Sequence, residues 1–266
     1  MKSSRRSSSK RWNLSDPHLP ENLHHQAQPF LHSLFNSQNS LNDREFKGTI
    51  FRFPLRKEAE HSDISKSVYS EQKVRSLFEM FEKEAHHLLL FLNDINKIEV
   101  YEKESAKTKP KLLMSVSVAT PEALHTRVQF KKSVAPFARD RQWMPSPLSE
   151  TYKMSTRFTK QERPPKVKVS NKQWLVTQYY DGGDSPAKKF LNEKGSKYLP
   201  WMGVALQLAE GARCCAKKSG QIFCFLPLPK QEESLTSFNF HVNGFFSVSQ
   251  DRCVCVTLED FRSFFK

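Results

Sequence analysis

Glycine is scarce, with 8 in 266 residues. That leaves little material for a Gly-rich loop that would cradle a nucleotide phosphate. No run of about 18 apolar residues occurs, so no membrane-spanning helix is expected. The start, MKSSRRSSSK, is basic, but no apolar stretch follows it, so it is not a secretory signal and reads as a disordered tail. The five cysteines, Cys214, Cys215, Cys224, Cys253 and Cys255, lack zinc-ribbon spacing and have no clustered His beside them. They are expected to be reduced thiols in a cytoplasmic protein, a nuclear location being the alternative. Nucleophile-elbow, Walker, H-E-x-x-H and C-x-x-C patterns are all missing. No catalytic residue, metal or cofactor is therefore expected from the motifs.

Acidic residues are thin in two regions. Residues 103–172 hold 16 basic against 5 acidic groups, and the first 12 residues hold five basic groups and no acid. Residues 13–102 lean the other way, with 10 basic against 14 acidic groups. The formal net charge of +14 therefore comes from the tail and the central stretch. Such a surface suits an acidic protein partner or a nucleic acid. No groove-binding element is recognisable, so nucleic acid is the alternative reading. Phenylalanine, by contrast, is plentiful at 21 residues, so most of the chain should build a core.

The patterning predicts an α+β fold, with four stretches along the chain. Residues 1–45 read as a basic, largely disordered tail and loop. Residues 46–102 begin with a period-2 strand at 48–56, where Phe51, Phe53 and Leu55 share one face. Val74, Leu77, Phe78, Phe81, Ala85, Leu88, Leu89, Leu92 and Ile95 then mark one face of a long helix over about 70–96, and a period-2 strand follows at 98–101. Residues 103–165 read as a basic, loop-rich connection with short strands at 112–118 and 127–130. Residues 166–266 read as a mostly antiparallel sheet. Within it, 166–169 and 173–179 form a hairpin across Ser170-Asn171, and a short helix covers Gly203–Lys217. Asp181-Gly182-Gly183-Asp184 is a turn, and strands follow at 221–226, 238–242, 245–248 and 253–258. Asn243-Gly244 predicts a two-residue hairpin with Gly244 at positive φ. Phe223, Phe225, Phe245, Val248, Val254 and Val256 are expected to share one inward face.

Histidine offers the nearest approach to a site. His86 and His87 are adjacent on the helix, whereas a helical metal pair wants spacing of four and a third ligand. A solvated or half-buried role is expected for both. His241 stands alone on an apolar strand and is expected to be structural.

Three phrases occur in a telling order. GTIFRFPLR at 48–56 is followed by His61-Ser62-Asp63-Ile64-Ser65. HLLLFLNDINKI at 87–98 comes next, and GQIFCFLPLP at 220–229 with HVNGFFSVSQDR at 241–252 closes the series. Asp16-Pro17-His18 and Pro200-Trp201-Met202-Gly203-Val204-Ala205 fit the same pattern. Over roughly residues 12–255 the chain resembles the sacsin family, very large chaperone-like proteins whose repeats begin with a heat-shock-ninety-like GHKL ATPase module. The resemblance implies that 46–102 is a remnant of that module, a partial GHKL-type strand and long helix, ahead of the sheet region. It implies that Thr49 corresponds to a threonine lining the adenine pocket. Read alone, Thr49 is a strand-start threonine. The family's Mg²⁺-organising Glu and Asn, its Asp-x-Gly-x-Gly and its Gly-rich lid should precede Gly48, and none is present in the 47 residues there. One wall of a pocket holds no nucleotide.

The expected function is that of a non-catalytic chaperone or co-chaperone fragment that binds client or chaperone proteins. The chain is expected to be a natural short form, a split-gene product or part of a longer gene. A basic nucleic-acid-associated protein and part of an ATPase completed by another chain are the alternatives.

Overall fold

The computed structural model describes residues 68–103, 108–162, 166–189, 199–208, 220–228 and 238–245. Two compact units divide the chain, residues 1–69 with 101–112 and residues 70–100 with 113–266. Short pieces of the first unit fall among the described residues; the second carries the architecture that follows. The strand predicted at 48–56, Thr49 within it, and the strands at 246–248 and 253–258 lie outside the described residues.

Helix α1 spans Glu71–Leu88. Ser70 caps it, its hydroxyl accepting from the Lys73 N–H at 3.3 Å, and Arg75 pairs with Glu71 one turn back at 2.7 Å. The Ser70 hydroxyl satisfies one of the orphan N–H groups of the first turn, and the ion pair ties two side chains on the helix surface. The helix is shorter than the expected 70–96. It ends at Leu88, and the Leu90 N–H returns to the His87 carbonyl at 3.1 Å. Leu89, Leu90 and Phe91 leave the helix and are buried as a plug in the core. The i, i+3, i+4 stripe ran past the true end because this plug is equally apolar.

Strands β1 (Lys97–Glu102) and β2 (Lys111–Val118) follow, as the period of two predicts. Helix α2 then covers Pro121–Asp140. This corrects the reading of 103–165 as loop-rich and of 127–130 as a strand. Ala123, Arg127, Phe130 and Val134 recur at steps of four, three and four and are all buried. Pro121 sits in the first turn, where its missing N–H is harmless. Pro136 lies inside the helix, and Arg141 ends it at φ 53.

Strands β3 (Leu148–Gln161) and β4 (Val167–Tyr180) are 14 residues each and pair antiparallel along their whole length, from Leu148↔Tyr180 to Gln161↔Val167. The hairpin predicted across Ser170-Asn171 is therefore wrong; those residues lie inside β4. Strand β5 (Trp201–Gln207) replaces the helix predicted from Gly203. Strands β6 (Ile222–Cys224), β7 (Leu226–Pro227) and β8 (Phe240–Asn243) complete the sheet. Its order is β1-β2-β3-β4-β5-β8-β6-β7. The described pairings are antiparallel except β6 with β8, which is parallel. The fold is α+β.

Even-numbered residues of β2, β3 and β4 point to one face, odd-numbered ones to the other. On the even face Val116, Met154, Phe158, Trp174 and Val176 meet Ala85 of α1 and Leu89, Leu90 and Phe91 of the plug after it, with Ala205 and Phe223. Further along the same face, Phe130 and Val134 of α2 meet Met144, Tyr180 and Trp201. Gly203 belongs here because a Cβ would stand 3.0 Å from the Phe91 ring. Both helices thus cover one face.

Two expectations about the last strands need correction. Phe225 is half-buried at φ 61 and interrupts the strand between Cys224 and Leu226. That conformation breaks the period of two, so Phe223 packs in the first cluster while Phe225 sits edge-on to Trp201 and Phe245. Gly244 is not at positive φ; Arg141, Phe225 and Gly183 are the described residues that are. β8 finds its partners in β5 and β6.

Candidate functional site: the open face of the sheet

Odd-numbered positions of β3 and β4, with even-numbered ones of β5 and β8, make the second face, which is open over β3 to β5 and closes at its β8 end, where Val242 is buried. Register fixes its rows. Lys153 lies beside Leu175, Leu175 beside Leu206, and Leu206 beside Phe240. The next row runs Thr151, Thr177, Val204, Val242, and the one after it Ser149, Tyr179, Met202. In the other direction Arg157 lies between Ser117 and Asn171. Neither described helix packs on these rows. Met202 is 46% exposed and Val204 is 39% exposed, high values for apolar residues in the middle of a sheet.

The charge on this face has one sign. Lys153 and Arg157 are its charged residues on β3, β4, β5 and β8, both are exposed, and neither makes an ion pair among the described residues. The rest of the β3 side is hydroxyl and amide: Ser149, Thr151, Ser155, Thr159 and Gln161. Thr151 and Thr177 share a hydrogen bond at 2.9 Å. The face therefore grades from cationic and polar on β3 to aliphatic on β5.

The covered face holds the titratable groups that sequence patterning singled out, and it uses them internally. His86 is buried. Its Nδ1 lies 3.0 Å from the Thr156 hydroxyl and its Nε2 2.8 Å from that of Ser170. The Trp174 indole N–H donates to the same Thr156 hydroxyl at 3.0 Å. A neutral ring satisfies this chain: Thr156 donates to Nδ1, and the Nε2 proton goes to Ser170. Burial, helped by the charges of Lys172 and His87, pushes His86 down to about 4. His87 is half-buried, 3.1 Å from the Glu84 carboxylate, and its ring lies 4.8 Å from that of His241. The Gln221 N–H donates to His241 Nδ1 at 3.2 Å. The three histidines are thus brought near one another, which their sequence positions do not suggest. Among the described residues, however, no group of three His, Cys, Asp or Glu could hold a metal ion.

Arg127 was missed by sequence patterning. It is 1% exposed. Its guanidinium donates to the carbonyls of Leu89 and Leu90 at 2.7 Å each and of Leu92 at 3.2 Å, and to the Tyr152 hydroxyl at 3.0 Å. The plug after α1 supplies carbonyls in place of a carboxylate. A buried cation is tolerable only when hydrogen-bonded in this way. Asp181 does the equivalent for the turn. Its carboxylate accepts from Tyr179, Gly182 and Ser185, at 2.8, 2.9 and 2.5 Å. Gly182 there leaves no room for a Cβ, which would meet the Ser146 carbonyl at 2.6 Å.

Thr49 and Cys214, Cys215, Cys253 and Cys255 lie outside the described residues, and Cys224 is half-buried on β6. No helix among the described residues is long and apolar enough to cross a membrane.

Comparison with known proteins places this surface in a family setting. Residues 2–115 match the family model of the Sacsin domain. Over 250 residues, 91% of the chain, it is 30% identical to Sacsin of Homo sapiens. The chain is sacsin-like. The 250-residue similarity reaches beyond residue 115 into the sheet, so the sacsin-like region includes strands of the open face. The chain spans about 5% of the human protein's length. No solved structure matches the chain.

Proposed function

We propose that the chain is a non-catalytic, sacsin-like chaperone or co-chaperone module that holds client or chaperone proteins on the open face of its sheet, in the cytoplasm. The observation that carries this reading is the aliphatic half of that face. Leu175, Leu206, Val204 and Met202 lie side by side on β4 and β5, and Met202 and Val204 remain accessible. Exposed contiguous apolar surface of this kind serves association. The buried polar groups support the reading from the other side. His86, Arg127 and Asp181 are each held by structural partners, which leaves none of them poised for general acid or base work.

The experiment is an aggregation assay on a chemically denatured client, followed by light scattering. The chain should lower scattering without nucleotide, and Val204→Glu should remove the effect while the protein stays folded. Unchanged scattering, or suppression that requires Mg-ATP, would overturn the proposal.

A further inference from the structure

We propose that the open face is selective for acidic protein segments, with carboxylates seated at Lys153 and Arg157 and aliphatic side chains seated on Leu175, Leu206 and Val204. This rests on the protein-binding reading above and adds the chemistry of the partner.

Charge complementarity carries it. The two cations face outward on β3, two turns of the pleat apart, with no acid on the odd face of β3 or β4 and no ion pair of their own among the described residues. Some lysines elsewhere are paired. Lys160 lies 2.5 Å from Glu82, and Lys131 lies 2.5 Å from Asp94. The surrounding stretch, 103–172, holds 16 basic against 5 acidic residues, so the long-range field has the same sign as the two local charges.

Register sets the spacing of the ligand. Lys153, Leu175 and Leu206 are consecutive across three strands. Strands lie about 4.8 Å apart, so Lys153 stands about 5 Å from Leu175 and about 10 Å from Leu206 in backbone position. A segment crossing the strands would then carry its acid about 10 Å from its main apolar anchor. That is three residues along an extended chain, or seven along a helix. A nucleic acid fits this surface less well. It wants a track of cations along its backbone and aromatic faces for its bases. Lys153 has the aliphatic Leu175 beside it across the strands and the hydroxyls of Thr151 and Ser155 along its own strand.

The test uses the full chain and three fluorescein-labelled probes in fluorescence anisotropy. The first is a peptide with two Glu placed three residues before Leu and Val. The second is the same peptide with both Glu changed to Lys. The third is an oligo(dT) of similar length. The Glu peptide should bind about tenfold or more tightly than the Lys peptide at low salt. That gap should narrow as salt shortens the Debye length. The double change Lys153→Glu with Arg157→Glu should reverse the preference, and Lys153→Met with Arg157→Met should erase it while leaving apolar binding. A merely structural role for the two residues would not reverse a preference. Equal binding of both peptides would overturn this inference and leave the protein-binding reading intact. So would tighter binding of oligo(dT) that displaces the Glu peptide, which would make the face a nucleic-acid surface. Absence of peptide binding together with unchanged client scattering would overturn both.

Discussion

The two faces of one sheet solve opposite problems with nearly the same strands. On the covered face β4 presents Trp174, Val176, Gln178 and Tyr180, all buried. On the open face the same strand presents Val169, Asn171, Gln173, Leu175 and Thr177, all exposed or half-buried. The covered face even admits a guanidinium and an imidazole, because each is fully hydrogen-bonded there. The open face keeps its two cations without an ion pair among the described residues. For the guanidinium and the imidazole burial goes with partners, whereas the Gln178 Oε1 and the Tyr180 hydroxyl on the same covered face are buried with no hydrogen-bond partner among the described residues.

The comparison breaks most visibly at Arg127. Arg127→Ala should cost about 3–5 kcal/mol, because three carbonyls lose their donor and the Tyr152 hydroxyl is left with the Gln178 amide alone. Arg127→Met keeps the stem and should cost less. Urea denaturation followed by tryptophan fluorescence measures both. Equal, small losses would mean that the guanidinium is not the clamp between α2 and the plug after α1.

The next contrast separates two phenylalanines that sequence spacing places on one face. Phe223→Ala should cost about 3–5 kcal/mol, as for a fully buried ring. Phe225→Ala should cost roughly 1–2 kcal/mol, because that ring is half-buried and its residue already sits at φ 61. The same urea titration ranks them, and a reversed ranking would place Phe225 in the core after all.

His86 makes the covered face sensitive to acid. Its folded pKa of about 4 lies below the ordinary 6.5, so the unfolded chain binds the proton first. The stability linked to His86 is therefore fully present above about pH 6.5 and is lost as pH falls toward 4. The shift corresponds to roughly 1–3 kcal/mol once partial solvation is allowed for. Thermal melts of the wild type and of His86→Gln across this range should converge as pH drops. A gap that stays constant with pH would mean that the ring is not held neutral.

Smallest of all should be the stability effects on the open face. Thr159→Ala, Lys153→Met and Arg157→Met should each shift stability by less than about 0.5 kcal/mol.

Parts of this division can be read directly from the residue pattern. The period of two in β1, β2 and β8 and the stripe of α1 from Val74 to Ala85 appear where expected. β5 was also present in the pattern, since Val204, Leu206 and Leu208 are spaced by two, but moderate helix signals nearby outweighed them. α2 was hidden because its buried stripe includes Arg127, which periodicity counts as polar, and because Pro136 interrupts the pattern. The β3–β4 ladder was hidden by its open face, whose serines, threonines and asparagines look like turn residues until a partner strand is supplied. The candidate site was least legible. Lys153, Leu175, Leu206 and Phe240 are far apart in the chain, and only the pairing of four strands makes them a row. The acid-poor character of 103–172 was the one signal that pointed to it.

The most direct test of the whole account reads both faces in one protein. Val204→Glu places a carboxylate in the aliphatic rows of the open face, and its thermal melt and its binding of the Glu-bearing peptide are measured together. The account predicts a melting temperature within about 2 °C of the wild type and peptide binding weakened by about tenfold or more. Unchanged binding would contradict it, as would a melting temperature lowered as far as that of Phe223→Ala, for then the open face would be part of the core.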